Sequence, residues 1–361
     1  MTLMETVDAP FDQQAAEAFS AQLMETINAG AVTVMVSLGH RLGLFDVMAG
    51  GMPAASADIA AKAGLSERYV REWLASMVTG RIVDYDAATG RYALPPERAA
   101  CLVRGAPLGN SAVYAQVPTI MGAIQDQIMA CFRTGDGTRY DDYPCFHQFM
   151  SEDTEQTVVA GLFEHILPLA PDLEARLDRG IDVMDAGCGS GGALVALAAR
   201  FPASRFTGYD LCPDALANGE AAAWQAGVSN VAFQVRDLTG YDESERFDLI
   251  TSFDAIHDQK HPQQLVRGIH GALRDGGVYL VQDIGGSARL ENNMDFPMAA
   301  MLYAISCNHC MPISLGQGGE GLGTMWGWET AERMLREAGF RSVERSVLPH
   351  DPLNVWFVAR K

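Results

Sequence analysis

The chain has 361 residues, a formal net charge of −19 and a pI near 4.7, which argues against a nucleic-acid groove or an anionic membrane as main partner. Its length predicts roughly two domains, its 48% hydrophobic and 20% charged residues match a packed globular protein, and no apolar run is long enough to span a bilayer. Seven scattered cysteines and an acidic start, Met1–Asp8, predict a reduced, cytoplasmic protein with neither a disulfide framework nor a secretion signal.

Residues 16–50 carry a helical pattern that stops at Gly50-Gly51. Ser56 is placed to cap a helix through Ala63, Gly64-Leu65-Ser66 makes a turn, and a second helix runs to about Val78. Two short β-like runs, "RIVDYD" and "GRYAL", follow around a turn, which completes the order of a winged helix. On its second helix Arg68 and Arg71 are offset by Glu67 and Glu72, so a packing or dimerisation role is expected rather than DNA binding. The amphipathic "VTVMVSLGHRLGLF" holds more apolar surface than one winged helix covers, which predicts a homodimer through this domain, residues 1–110.

A second domain is expected over 111–361. Its first part, 111–175, reads as a helical connector with a Gly-, Asp- and Tyr-rich loop, "RTGDGTRYDDYPCFHQF", whose Tyr140, Tyr143 and His147 pin the connector to the core or cover a pocket. After 180 strand-like runs (181–185, 205–209, 231–235, 247–253, 277–283) alternate with helix-like runs (192–200, 213–226, 261–273), only a turn separating 235 from 247. That alternation predicts an α/β fold with a doubly wound parallel sheet, and the final "RSVERSVL" and "NVWFVARK" read as an antiparallel pair.

"VMDAGCGSGG" places Gly187, Gly189 and Gly191 at a strand-to-helix turn, where open α/β sheets bind ligands. Gly187, Gly189 and Gly192 also fit GxGxxG, so the loop alone does not separate a dinucleotide from another nucleoside. Asp185 would repel a pyrophosphate but welcome an ammonium group. Asp210, closing the second strand, stands where an acid grips ribose hydroxyls, and Asp237 with Leu238 can accept from an exocyclic amine and cover a purine. Three acids around one glycine loop suit S-adenosylmethionine; a nicotinamide dehydrogenase would leave Asp185 and Asp237 unexplained.

On these residues the chain resembles class I S-adenosylmethionine-dependent methyltransferases over about 182–361. "DVMDAGCGSG" resembles their first motif, "FTGYDL" (Asp210, Leu211) the ribose acid, "VRDL" the adenine motif, and "FDLITSFDAIHD" (Phe253, Asp254) the fourth. The resemblance implies a seven-stranded Rossmann-like sheet with its C-terminal antiparallel pair. With the winged helix in front, the chain is similar to a mycobacterial methyltransferase subgroup and to dimeric small-molecule O-methyltransferases. In the latter a His-Asp pair after strand four supplies a general base, which implies that role for His257 and Asp258; Gln259 stands where a Trp commonly follows.

The segment "SCNHCMPISLGQGGEGLGTMWGW", with His309, Gln317 and Trp326, is expected to form a lid over a small-molecule acceptor. Cys307 and Cys310 have CxxC spacing but no second ligand pair follows, so no metal is expected. A hydroxyl acceptor needs its proton removed, whereas a thioether or arsenic(III) does not, and the residues leave O- and S-methylation open. A winged-helix regulator that senses S-adenosylmethionine is the alternative that the charge opposes.

Overall fold

The computed structural model describes residues 11–361, and its two compact units are Met1–Thr119 and Ile120–Lys361. The reading of Met1–Asp8 lies outside the described residues. In the first unit α1 (Gln13–Arg41) is a single 29-residue helix opened by Asp12, whose side chain accepts from Ala15 N at 3.0 Å. It stops at Leu42-Gly43 and not at Gly50: Gly43 takes a φ of +70°, and a separate α2 (Leu44–Met48) follows.

The winged-helix order holds, with α3 (Ser56–Ala63), α4 (Glu67–Thr79), β1 (Asp84–Asp86) and β2 (Arg91–Ala93). Ser56 is not the cap; Ala55 is, and the Ser56 hydroxyl donates to Glu67 Oε1 at 2.6 Å, tying α3 to α4. Phe45, Trp73, Leu74 and Met77 form the core, and Gly39 leaves room for Trp73, whose ring would lie 2.5 Å from a Cβ there. The unit runs past residue 110 because the turn Ser111–Gln116 puts Ala112 and Ala115 into this core.

The second unit is built on a seven-stranded sheet in the order β5-β4-β3-β6-β7-β9-β8. Its strands are β3 (Asp182–Ala186), β4 (Arg205–Asp210), β5 (Val231–Val235), β6 (Phe247–Phe253), β7 (Leu273–Ile284), β8 (Ser342–Leu348) and β9 (Asp351–Arg360). The first five are parallel; β9 runs antiparallel to both β7 and β8. Helices Gly192–Arg200, Pro213–Ala226 and Pro262–Ala272 join the strands as expected. β7 starts four residues earlier than its apolar run, because Leu273 pairs with Phe247 ahead of an irregularity at Phe247/Leu249.

Alternate residues load opposite faces, Val183, Leu249 and Leu280 on one core and Met184, Ile250 and Val281 on the other. The chain leaves β3 first toward β4 and β5, then returns to its other side at β6. That reversal puts the topological switch point at the C-terminal end of β3. No described helix is long and apolar enough to cross a membrane.

Candidate active site

Two groups of polar residues gather at the C-terminal ends of the parallel strands. The first surrounds the glycine loop. Asp185 is buried, accepts from Thr251 Oγ1 at 2.7 Å, and is pushed up to about 6 by burial, with Asp210 adding to the rise and Thr251 opposing it. Gly187 has a φ of +75° and faces Ala255, which would lie 2.6 Å from a Cβ. Gly189, φ +51°, has nothing within 4 Å of its missing Cβ, so the tip of the loop borders open space. Gly191 caps the following helix in the left-handed conformation.

Asp210 Oδ2 accepts from Gly189 N at 2.8 Å and Oδ1 from Cys212 N at 2.8 Å, which fixes its carboxylate and leaves each oxygen further lone pairs. Leu211 is 43% exposed beside it. Asp237 is exposed, two residues past β5, and accepts from Thr239 N at 2.8 Å. Leu238 turns into the core with Tyr209 and Tyr241, so its side chain is not open to a purine.

The second group lies past β6. Phe253 ends that strand with its ring 5.9 Å from Trp356. Asp254 takes a φ of +53°, uncommon for a non-glycine residue and frequent at functional sites. Its Oδ1 is buried without a hydrogen bond, and burial pushes its carboxyl up to about 7. His257 is 1% exposed and held from both ring nitrogens, Nδ1 at 2.8 Å from Asp283 Oδ1 and Nε2 at 3.2 Å from Asp258 Oδ1. Burial alone would lower its pKa, but Asp283 and Asp258 outweigh that and raise it well above the ordinary histidine value. The imidazolium is therefore favoured in the free protein, not the neutral ring a base requires.

The connector and the segment after β7 complete this group. The Tyr140 hydroxyl reaches Asp258 Oδ2 at 3.5 Å, and the Tyr140 ring stacks on His147 at 6.3 Å. Tyr143 hydrogen-bonds Thr138 Oγ1 at 2.6 Å and donates to Asn308 O at 2.7 Å. The connector loop docks by its backbone: Thr138 N donates to Pro312 O at 2.9 Å, and Gly137 allows an approach in which Gly316 N would lie 2.0 Å from a Cβ. His309 sits in a single π-helical turn, Ser306–Cys310, a feature frequent at functional sites.

Trp326 is no surface lid residue. Its indole N–H donates to Asp283 Oδ1 at 2.9 Å, and Thr324, Met325 and Trp326 are all buried. Gln317 is half-buried and donates to Ile313 O at 3.1 Å, within its own helical turn. Cys310 is buried, receives Thr324 Oγ1 at 2.9 Å, and burial pushes its thiol up to about 12, so it offers no thiolate for arsenic(III).

Asp283 escaped the sequence reading. It is brought to His257 by the β6–β7 register, which pairs Phe253 with Gln282. A signal existed: it is the only charged residue in the run Gly277–Ile284.

The sheet order, the crossovers and the open strand ends define a Rossmann-like transferase fold with a winged-helix unit ahead of it. A family model described as a methyltransferase domain matches residues 177–339, and one described as an Rv2258c-like winged HTH domain matches residues 30–104. The chain thus carries a methyltransferase domain behind an N-terminal winged helix of that kind. It is 29% identical to (S)-coclaurine N-methyltransferase of Papaver somniferum over 110 residues, 30% of this chain and 31% of that protein. The chain thus spans about a third of the length of that relative.

A solved structure from Nostoc punctiforme superposes with a TM-score of 0.70 at 21% identity, covering 94% of this chain and 98% of that one. Human N-acetylserotonin methyltransferase, solved with S-adenosylmethionine, gives a TM-score of 0.65 at 18% identity over 98% and 99%. At these identities the superpositions establish the fold.

Proposed function

We propose that the protein transfers a methyl group from S-adenosylmethionine to a hydroxyl of a small-molecule acceptor, and that His257, Asp258 and Asp283 form its acceptor machinery. One observation carries the cofactor side: a carboxyl at the end of β3, a second anchored at the end of β4, and an open glycine tip between them. Asp185 would receive the ammonium group, Asp210 the ribose hydroxyls, Asp237 the adenine amine, with Gly187, Gly189 and Gly191 permitting close backbone approach. Phe253 and Asp254 stand at the end of β6, the strand on the other side of β3 from β4.

S-adenosylmethionine, when bound, supplies an electrophilic methyl group on a sulfonium. His257 takes the proton of the acceptor hydroxyl as the oxygen–carbon bond forms; the carbon–sulfur bond breaks and sulfur keeps the electron pair. Asp283 holds Nδ1, and Nε2 meets the proton once the acceptor hydroxyl takes the place of its 3.2 Å contact with Asp258 Oδ1. A cationic ligand at the neighbouring strand ends disfavours the imidazolium, which brings His257 toward its basic form only in the complex. Tyr140, Tyr143, His147, His309 and Trp326 wall the acceptor space; Gln317 has no evident part in it.

Titration calorimetry tests the cofactor side. S-adenosylmethionine and S-adenosylhomocysteine are expected to bind and NADH is not. An ammonium group prefers ionised Asp185, whose free carboxyl titrates at about 6, so affinity is expected to fall as pH drops below that value. Between pH 7.5 and 5 the loss is about tenfold. Binding of NADH alone refutes the reading, and a flat profile removes Asp185 from it.

The homodimer belongs to the same proposal. Phe19, Leu23, Ile27, Val34 and Leu38 are all exposed on α1 and fall within roughly 100° of arc, an apolar stripe left uncovered among the described residues. Light scattering is expected to give about twice the chain mass, and Leu23→Asp with Ile27→Asp to give monomers; a wild-type monomer at micromolar concentration counts against it. On α4, Arg68 pairs with Glu72 and Arg71 with Glu67, so neither arginine is free for phosphate, which supports this role over a DNA-reading one.

A further inference from the structure

His309 is buried, and the function above gives it no hydrogen-bonding role. Its ring stacks on Phe146 at a centroid distance of 3.8 Å and meets Tyr143 edge-on at 4.6 Å, so its orientation is fixed. Tyr143 is itself tied to Thr138 and Asn308. Nδ1 faces Asp258 Oδ2 at 3.9 Å and Cys310 Sγ at 3.6 Å. The hydrogen-bond contact of Nδ1 is the Cys310 thiol, which can donate or accept, so the ring proton is not assigned to one nitrogen. Nε2 is buried with no hydrogen-bond partner, a state that costs about 1–3 kcal/mol unless a ligand supplies one.

Burial lowers the pKa of His309 to about 4, with His257 and His147 lowering it further against the opposing pull of Asp258. Asp258 thus stands between two imidazoles, His257 on Oδ1 and His309 on Oδ2.

We propose that His309 is a specificity-determining residue whose unpartnered Nε2 hydrogen-bonds a second polar group of the methyl acceptor, a hydroxyl or amine besides the hydroxyl served by His257. The favoured substrates are therefore small bifunctional molecules. This rests on the hydroxyl-methylation reading, and the experiment separates the two.

Wild type, His309→Leu and His309→Gln are assayed against paired probes: catechol, 2-aminophenol and 1,2-diols beside phenol and the matching mono-alcohols. Wild type is expected to prefer the bifunctional member by about tenfold or more in kcat/KM, because a site built to hydrogen-bond a polar group rejects the analogue lacking it. The preference is expected chiefly in KM. His309→Leu is expected to bring the ratio of bifunctional to monofunctional kcat/KM to about one, whatever it does to the absolute rates, with S-adenosylmethionine affinity as the check on folding. His309→Gln, whose amide can donate or accept, is expected to retain part of the preference. A wild type that does not discriminate, or a leucine variant that still does, overturns the role of His309 alone. Failure of wild type to methylate any probe while binding S-adenosylmethionine overturns the hydroxyl reading and this inference with it.

Discussion

His257→Ala is expected to lower turnover on a hydroxyl acceptor by on the order of 10²–10⁴, the share of a positioned general base, while S-adenosylmethionine affinity stays within about twofold of wild type. The affinity is spared because the glycine loop, Asp185 and Asp210 belong to other strand ends than His257. The pH profile sharpens the test. A base works deprotonated, and Asp283 and Asp258 raise the His257 pKa well above the ordinary value, so activity is expected to climb on the alkaline side of pH 6.5. The limb is read in kcat/KM, which reports the free enzyme, because the bound cation opposes the same shift in the complex.

Asp283→Asn removes one of the two charges that raise the pKa, so the rising limb is expected to move to lower pH as maximal turnover falls. A merely structural Asp283 would change stability without moving the limb. Full activity of His257→Ala on a hydroxyl removes the ring from the mechanism. A profile flat through neutral pH would instead fit a thioether acceptor, from which no proton is lost.

The contrast between His257 and Asp283 shows what a sequence carries and what it does not. The strands 205–209, 231–235 and 247–253 were legible because each is a short apolar run bounded by turns, and period and length together decide such runs. Asp185, Asp210 and His257 were legible because each stands one to four residues past or within a strand end, so the fold class alone places them. Asp283 depends on which residues of β6 and β7 lie side by side, and register is a tertiary property. The burial of Trp326 was hidden for a related reason: nothing in its glycine-rich surroundings announces the buried carboxylate of Asp283, to which its indole N–H donates. The break at Gly43 was hidden because Leu44, Phe45 and Met48 continue the apolar pattern of α1 across the turn.

Asp210→Ala is expected to weaken S-adenosylmethionine and S-adenosylhomocysteine alike, by about 10²–10⁴ in affinity. The carboxylate would accept from two ribose hydroxyls, and hydrogen bonds to a charged acceptor contribute about 1.5–3 kcal/mol each. It also holds Gly189 N and Cys212 N at 2.8 Å each, so its loss frees the loop tip that borders the open space. Asp210→Asn separates the two contributions. The amide keeps one acceptor oxygen for one backbone N–H but turns its NH₂ toward the other, so it is expected to lose most of the same affinity with little change in volume. Both ligands suffer equally because the ribose is common to them and the sulfonium is remote from Asp210. Turnover at saturating S-adenosylmethionine is expected to stay within about tenfold of wild type, since an interaction equal in ground and transition states affects KM and not kcat. Calorimetry for affinity and a saturating initial-rate assay give the two readings. If Asp210→Ala binds both ligands within about threefold of wild type, the ribose does not lie at the end of β4.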